Sequence, residues 1–102
     1  MITKNDLAAI DTYYFDVIGV KEYSIELRSK NTGHYWYLLE RVYNGQRSFL
    51  IHHKHSVTKQ YHPQKSRQFI YGCCDYIRDH DAFHLERAKK KKERKLKTNR
   101  TK

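Results

Sequence analysis

The chain is 102 residues long and carries 21 Lys or Arg against 11 Asp or Glu, a net charge of +10. That length gives one domain with a modest core. The two cysteines, Cys73 and Cys74, are adjacent and do not read as a disulfide framework, and no apolar run reaches the length of a secretory signal or a bilayer span. A reducing cytoplasm is the expected location, with no membrane partner.

The charge is uneven. From Arg87 to Lys102, ten Lys or Arg meet one acid, Glu93, for a local charge of +9; from Met1 to Glu86, eleven meet ten. The shift predicts a single α+β domain over 1–86 followed by a basic tail over 87–102, helical or disordered.

Residues 4–14 read as a short helix, capped by Asn5 or Asp6, with Leu7, Ile10 and Tyr14 near one face. Gly19 predicts a break. "KEYSIELRS" alternates as a strand, with Tyr23, Ile25 and Leu27 on one side. "KNTG" is a turn, and "HYWYLLERVY" is a second strand. Asn44-Gly45 predicts a type I′ hairpin into a third strand, "RSFLIHHKH". The hairpin pairs Tyr43 with Gln46, and hence Glu40 with Phe49, Leu38 with Ile51 and Trp36 with His53. The "KNTG" loop pairs Ser29 with His34, Leu27 with Trp36 and Ile25 with Leu38. One face then collects Tyr23, Ile25, Leu27, Trp36, Leu38, Phe49 and Ile51, with His53 at its edge.

"SVTKQYHPQK" reads as a loop. A helix is expected from about Ser66, with Ile70, Cys73, Cys74 and Ile77 as its apolar stripe and Phe69 beside it. "RDHD" interrupts that pattern, so Asp79 or Asp81 is expected to cap a fresh helix. The expected architecture is α-β-β-β-α: a three-stranded antiparallel meander packed on a long C-terminal helix.

Three histidines, His52, His53 and His55, crowd one stretch of the third strand. Strand parity divides them: His53 and His55 share one face and His52 looks the other way. A zinc site would need two of these together with His62, a cysteine, or the His80/His84 pair. Solvated or core-edge histidines are the expectation, with no metal and no cofactor. Cys73 falls on the buried stripe, where a thiol packs as a small apolar group. No nucleophile pair, phosphate loop or paired-carboxylate signature is present, so a non-catalytic protein is expected.

The second sheet face carries Arg28, Tyr35, Tyr37, Leu39, Arg41, Leu50, His52 and Lys54. Aromatic rings among cations can stack bases and hold phosphates; the same face could instead be covered by the first helix or by a second subunit. The tail "RAKKKKERKLKTNRTK" would attract any polyanion. Nucleic acid, RNA or DNA, is the expected partner, through Arg87, Lys89, Lys90, Lys91, Lys92, Arg94, Lys95 and Lys97, extended by Tyr35, Tyr37, Arg41, His52 and Lys54. The alternative is a protein–protein adaptor or homodimer using the Tyr/Leu face, with the tail only aiding solubility.

The order α-β-β-β-α, with a basic start to the last helix, is similar to the double-stranded-RNA-binding domain. Gly33-His34 stands where that family carries a Gly-Pro-x-His element, and "QKSRQF" where it carries a Lys-Lys-x-Ala-Lys run. The resemblance implies RNA contacts at His34, Lys65 and Arg67. The turn proline and the Lys-Lys-x-Ala-Lys run itself are missing here.

Overall fold

A computed structural model describes residues 1–100, with side chains described as far as Arg94. The elements are α1 (Lys4–Ala8), β1 (Phe15–Lys21), β2 (Ser24–Ser29), β3 (Tyr35–Tyr43), β4 (Gln46–Lys54), β5 (His62–Arg67) and α2 (Ile70–Arg100). The strands form one antiparallel sheet in sequence order, and α2 packs across one face of it. The class is α+β as expected, but the sheet has five strands and not three.

The central register follows from the two turns. Asn44 and Gly45 both take positive φ, 51° and 74°, as a type I′ turn requires. Gly33 closes the other turn at φ 75°, where its N–H donates to the Ser29 carbonyl at 2.8 Å. Leu27 faces Trp36, Ile25 faces Leu38, Leu38 faces Ile51 and Trp36 faces His53. Ile25, Leu27, Trp36, Leu38, Phe49 and Ile51 are buried against Ile70, Cys73, Cys74 and Ile77 of α2. Trp36 fills the centre and donates its indole N–H to the Ser29 hydroxyl at 3.0 Å.

The differences lie at the periphery. The first helix is five residues, not eleven, and its N-cap is Thr3, in a capping box with Asp6. Ile10 is still buried, and Leu7 packs against the core. Gly19 does not break the chain; it lies in β1 beside a bulge that leaves Ile18 out of the pairing with β2. Tyr23 is exposed in the turn before β2 and is not a core residue. The expected loop before α2 contains β5, an edge strand that tolerates Pro63 because an edge N–H need not pair. Phe69 precedes α2, is half exposed and stacks on Tyr71.

No fresh helix begins at Asp79 or Asp81. The single helix α2 runs through both and across the 86/87 boundary without a break. Asp81 is buried and accepts hydrogen bonds from the Tyr14 hydroxyl at 2.6 Å and the Thr32 hydroxyl at 3.1 Å. It is the last buried residue of α2 among those described; His84 is half-buried against His34, and the described residues after it are exposed. At 1.5 Å per residue, α2 is about 46 Å long, and the molecule measures 62 × 26 × 24 Å. No helix among the described residues is long and apolar enough to cross a membrane.

Candidate functional site

Six of the eleven cations of the body, Arg28, Lys30, Arg47, Lys54, Arg67 and Arg78, lie against a carboxylate or an aromatic ring. Arg47 reaches both carboxylate oxygens of Asp6 and bonds Glu40 at 3.1 Å. Its guanidinium pulls the Asp6 carboxyl down to about 2 and holds Glu40 below its ordinary value. Arg28 and Lys30 lie 3.6 and 3.8 Å from Asp16, and Arg78 lies 3.4 Å from both Asp11 and Asp75.

The exposed length of α2 differs. His84, Arg87, Ala88 and Lys91 recur at i, i+3, i+4 and i+7, which stacks them on one helical face. With Lys90, Arg94 and His55 they line an open groove of about 850 Å³. No carboxylate lines it. Lys89, Lys90, Lys91 and Lys92 form no salt bridge among the described residues. Of the expected tail contacts, the groove therefore gathers Arg87, Lys90, Lys91 and Arg94. Lys89 and Lys92 are exposed but do not line it. The side chains of Lys95 and Lys97 lie outside the described residues.

Tyr35, Tyr37, His52 and Lys54 occupy the opposite face of the sheet from α2, as strand parity requires. No helix covers that face, because α1 packs with the core on the α2 side. Its rings are partly occupied. Lys54 Nζ lies 4.4 Å from the Tyr61 ring centroid and 5.3 Å from that of Tyr35, and Arg28 approaches Tyr35 from 6.0 Å. Tyr61 donates its hydroxyl to Glu26 at 2.7 Å, and its ring tilts against Tyr37. Tyr61 stands just before β5, outside any strand, so no period-two pattern in the sequence assigns it to this face. Arg41 is exposed towards the hairpin end. A shallow concavity of about 350 Å³ is lined by Tyr37, Leu39, His52 and Tyr61, among others. The groove and the tyrosine face are two separate surfaces.

A third feature lies at the end of the core. His53, expected at a solvated edge, is 2% exposed, and its Nε2 lies 3.0 Å from Nδ1 of His34, which is 5% exposed. Trp36 stacks on His53 with ring centroids 4.2 Å apart. His55 stacks on His34 at 4.3 Å, and His84 meets His34 edge-on at 4.6 Å. His80 lies 4.8 Å from His53, and its Nδ1 is buried without a hydrogen-bond partner. Burial, reinforced by the neighbouring rings, pushes His53 down to about 3 and His34 down to about 4. Both are neutral imidazoles at pH 7.

The sequence contained a signal for this cluster. His34 shares parity with Trp36, which faces His53, and His80 and His84 continue the Ile77 stripe at i+3 and i+7. His52 stands apart on the tyrosine face, as expected, meeting Tyr37 edge-on at 5.7 Å.

The cysteines form no nucleophilic site. Both are buried and free, and burial pushes Cys73 up to about 12 and Cys74 up to about 11. At neutral pH they are protonated packing groups.

The positions matched to double-stranded-RNA binding do not take up that arrangement. His34 is buried in the histidine cluster, and Lys65 and Arg67 lie in β5 and not at the start of a helix. Comparison with protein-family models, curated proteins and solved structures gave no match.

Proposed function

We propose that the protein is a non-catalytic nucleic-acid-binding factor that holds backbone phosphates along the exposed length of α2. The observation that carries this reading is the groove lined by Arg87, Lys90, Lys91 and Arg94 with no carboxylate among its walls. A stripe of cations on a helix lowers its own repulsion by accepting phosphates, and each neutralised phosphate releases condensed counterions. The surface offers point charges and no base-reading pocket, so binding is insensitive to sequence. The free thiols of Cys73 and Cys74 fit a reducing compartment, and the cytoplasm is the proposed location.

The test is a fluorescence-anisotropy titration with short RNA and DNA duplexes, comparing the full chain with the double variant Lys90→Glu/Lys91→Glu. The full chain should bind both, and the variant should lose about 100-fold or more in affinity, since it reverses two charges at the centre of the stripe. Equal binding by the two proteins would refute the reading.

A second reading has its own observation. Leu39 and Leu50 pair at the centre of the uncovered sheet face, beside the concavity at Tyr37 and Tyr61. A homodimer or adaptor would bury them. Sedimentation measures this directly: Leu39→Glu should abolish any concentration-dependent mass, and a monomer at all concentrations would dismiss the homodimer.

A further inference from the structure

The histidine cluster has an arrangement that neither packing nor polyanion binding explains. His34, His53 and His55 each bring one ring nitrogen within 4.8 Å of the others. They come from separate places in the chain, the turn before β3 and the end of β4, and the fold draws them together. Two of the three are buried.

Burying neutral imidazoles side by side removes them from water and leaves their lone pairs short of donors. The 3.0 Å contact between His34 Nδ1 and His53 Nε2 satisfies one of them. His80 Nδ1, in the ring beside His53, is left with none.

Asp81 adds a second imbalance. It is fully buried at the same end of the core, and its charge acts on both His34 and His80. Its oxygens meet two hydroxyls, those of Tyr14 and Thr32, and no cation pairs with it among the described residues. A buried carboxylate without a counter-charge is costly. Neutral histidines cannot supply that charge, but a metal ion among them would.

We propose that His34, His53 and His55 bind one divalent transition-metal ion of the zinc class. This site shares His55 with the wall of the polyanion groove, but the inference does not rest on polyanion binding. Imidazole nitrogens favour zinc, copper, iron or nickel over magnesium or calcium. A zinc–nitrogen bond of about 2.0–2.1 Å places tetrahedral ligand nitrogens about 3.4 Å apart. The His34–His53 pair already stands near that spacing. His55 is exposed and closes the rest of the distance by turning about its own side-chain bonds, giving up its stack on His34.

The proton balance is simple. Ligation through His34 Nδ1 and His53 Nε2 requires each ring to carry its hydrogen on the other nitrogen. That is a tautomer shift with no net proton gained or lost, and it replaces the hydrogen bond between the rings. The fourth position is left to water.

The experiment uses the full, tag-free, metal-free chain. Zinc chloride is titrated by calorimetry, and cobalt(II) is titrated by visible absorption. One ion per chain should bind, four-coordinate cobalt bands should appear, and Tm should rise by about 5 °C or more at saturating zinc. Magnesium should do nothing. His55→Ala removes a ligand from an exposed position and should leave the unfolding midpoint of the metal-free chain nearly unchanged, while weakening zinc binding by about 100-fold or more. His52→Ala, on the opposite face of the same strand, should leave it unchanged. Failure of zinc to saturate at one ion per chain, or equal effects of His55→Ala and His52→Ala, would overturn the proposal.

Discussion

The body of the protein and the exposed length of α2 both carry many cations, but they use them differently. In the body, six of the eleven guanidinium and ammonium groups are matched to carboxylates or to aromatic rings, among them Arg47 to Asp6 and Glu40, Arg78 to Asp11 and Asp75, and Lys54 to Tyr35 and Tyr61. Beyond His84 the described residues of the helix are all exposed, and Lys89, Lys90, Lys91 and Lys92 form no ion pair among the described residues. The first set of charges holds the fold together. In the second, Lys89, Lys90, Lys91 and Lys92 are exposed, while Arg87 lies over the Phe83 ring of the same helix at 5.8 Å. Net charge alone would have hidden this division.

Mutations should separate the two regions. The largest effect on folding is expected from Arg47→Ala. It takes from Asp6 and the nearly inaccessible Glu40 their shared partner, leaving Glu40 only the Met1 ammonium at 2.6 Å, and should cost about 2 kcal/mol in denaturant unfolding. Nucleic-acid affinity should change little.

The histidine cluster gives the next effect. In the unfolded, metal-free chain His34 and His53 take up protons near the ordinary value of 6.5, whereas burial holds them neutral down to about 4 and about 3 in the folded state. Between those limits the unfolded chain binds more protons, so stability falls as pH drops below 6.5 and levels off near 3. The loss should be on the order of a few kcal/mol, read from urea midpoints across that range. Asp6, lowered to about 2 by Arg47, adds a further loss that begins only below its unfolded value of 3.8.

Lys54→Ala should cost about 0.5–1 kcal/mol of stability, because it removes a cation from two tyrosine rings. The smallest stability effect is expected from Lys91→Ala, within about 0.5 kcal/mol, since its side chain is exposed and forms no ion pair among the described residues. That same change should weaken polyanion binding and shallow its salt dependence by about one phosphate contact. If Lys54→Ala weakened nucleic-acid binding more than Lys91→Ala, the working surface would be the tyrosine face and not the helix.

The centre of the fold was readable from sequence and its margins were not. The register from β2 to β4 followed from Asn44-Gly45 and the alternation of Ile25, Leu27, Trp36, Leu38, Phe49 and Ile51, because a one-residue slip would have buried the wrong set. β1 buries only Phe15 and β5 buries no side chain, so neither carries the period-two pattern that marks a half-buried strand. The cationic stripe was legible as composition. Its geometry depended on α2 passing through Asp79 and Asp81, which looked like a fresh start because aspartate so often caps helices. Asp81 is instead held inside by Tyr14 and Thr32, contacts distant in sequence. The histidine cluster was hidden for a similar reason: the crowded run at His52–His55 divides by strand parity, and the decisive partner, His34, lies in the turn before β3.

The most direct measurement is the salt dependence of binding to a nucleic-acid duplex by the full chain and by a chain ending at Glu86. If the helix stripe holds four phosphates, affinity of the full chain should fall about 100-fold between about 50 and 200 mM salt, and the shortened chain should bind weakly at both. Affinity that is indifferent to salt, or that survives removal of residues 87–102, would contradict the account.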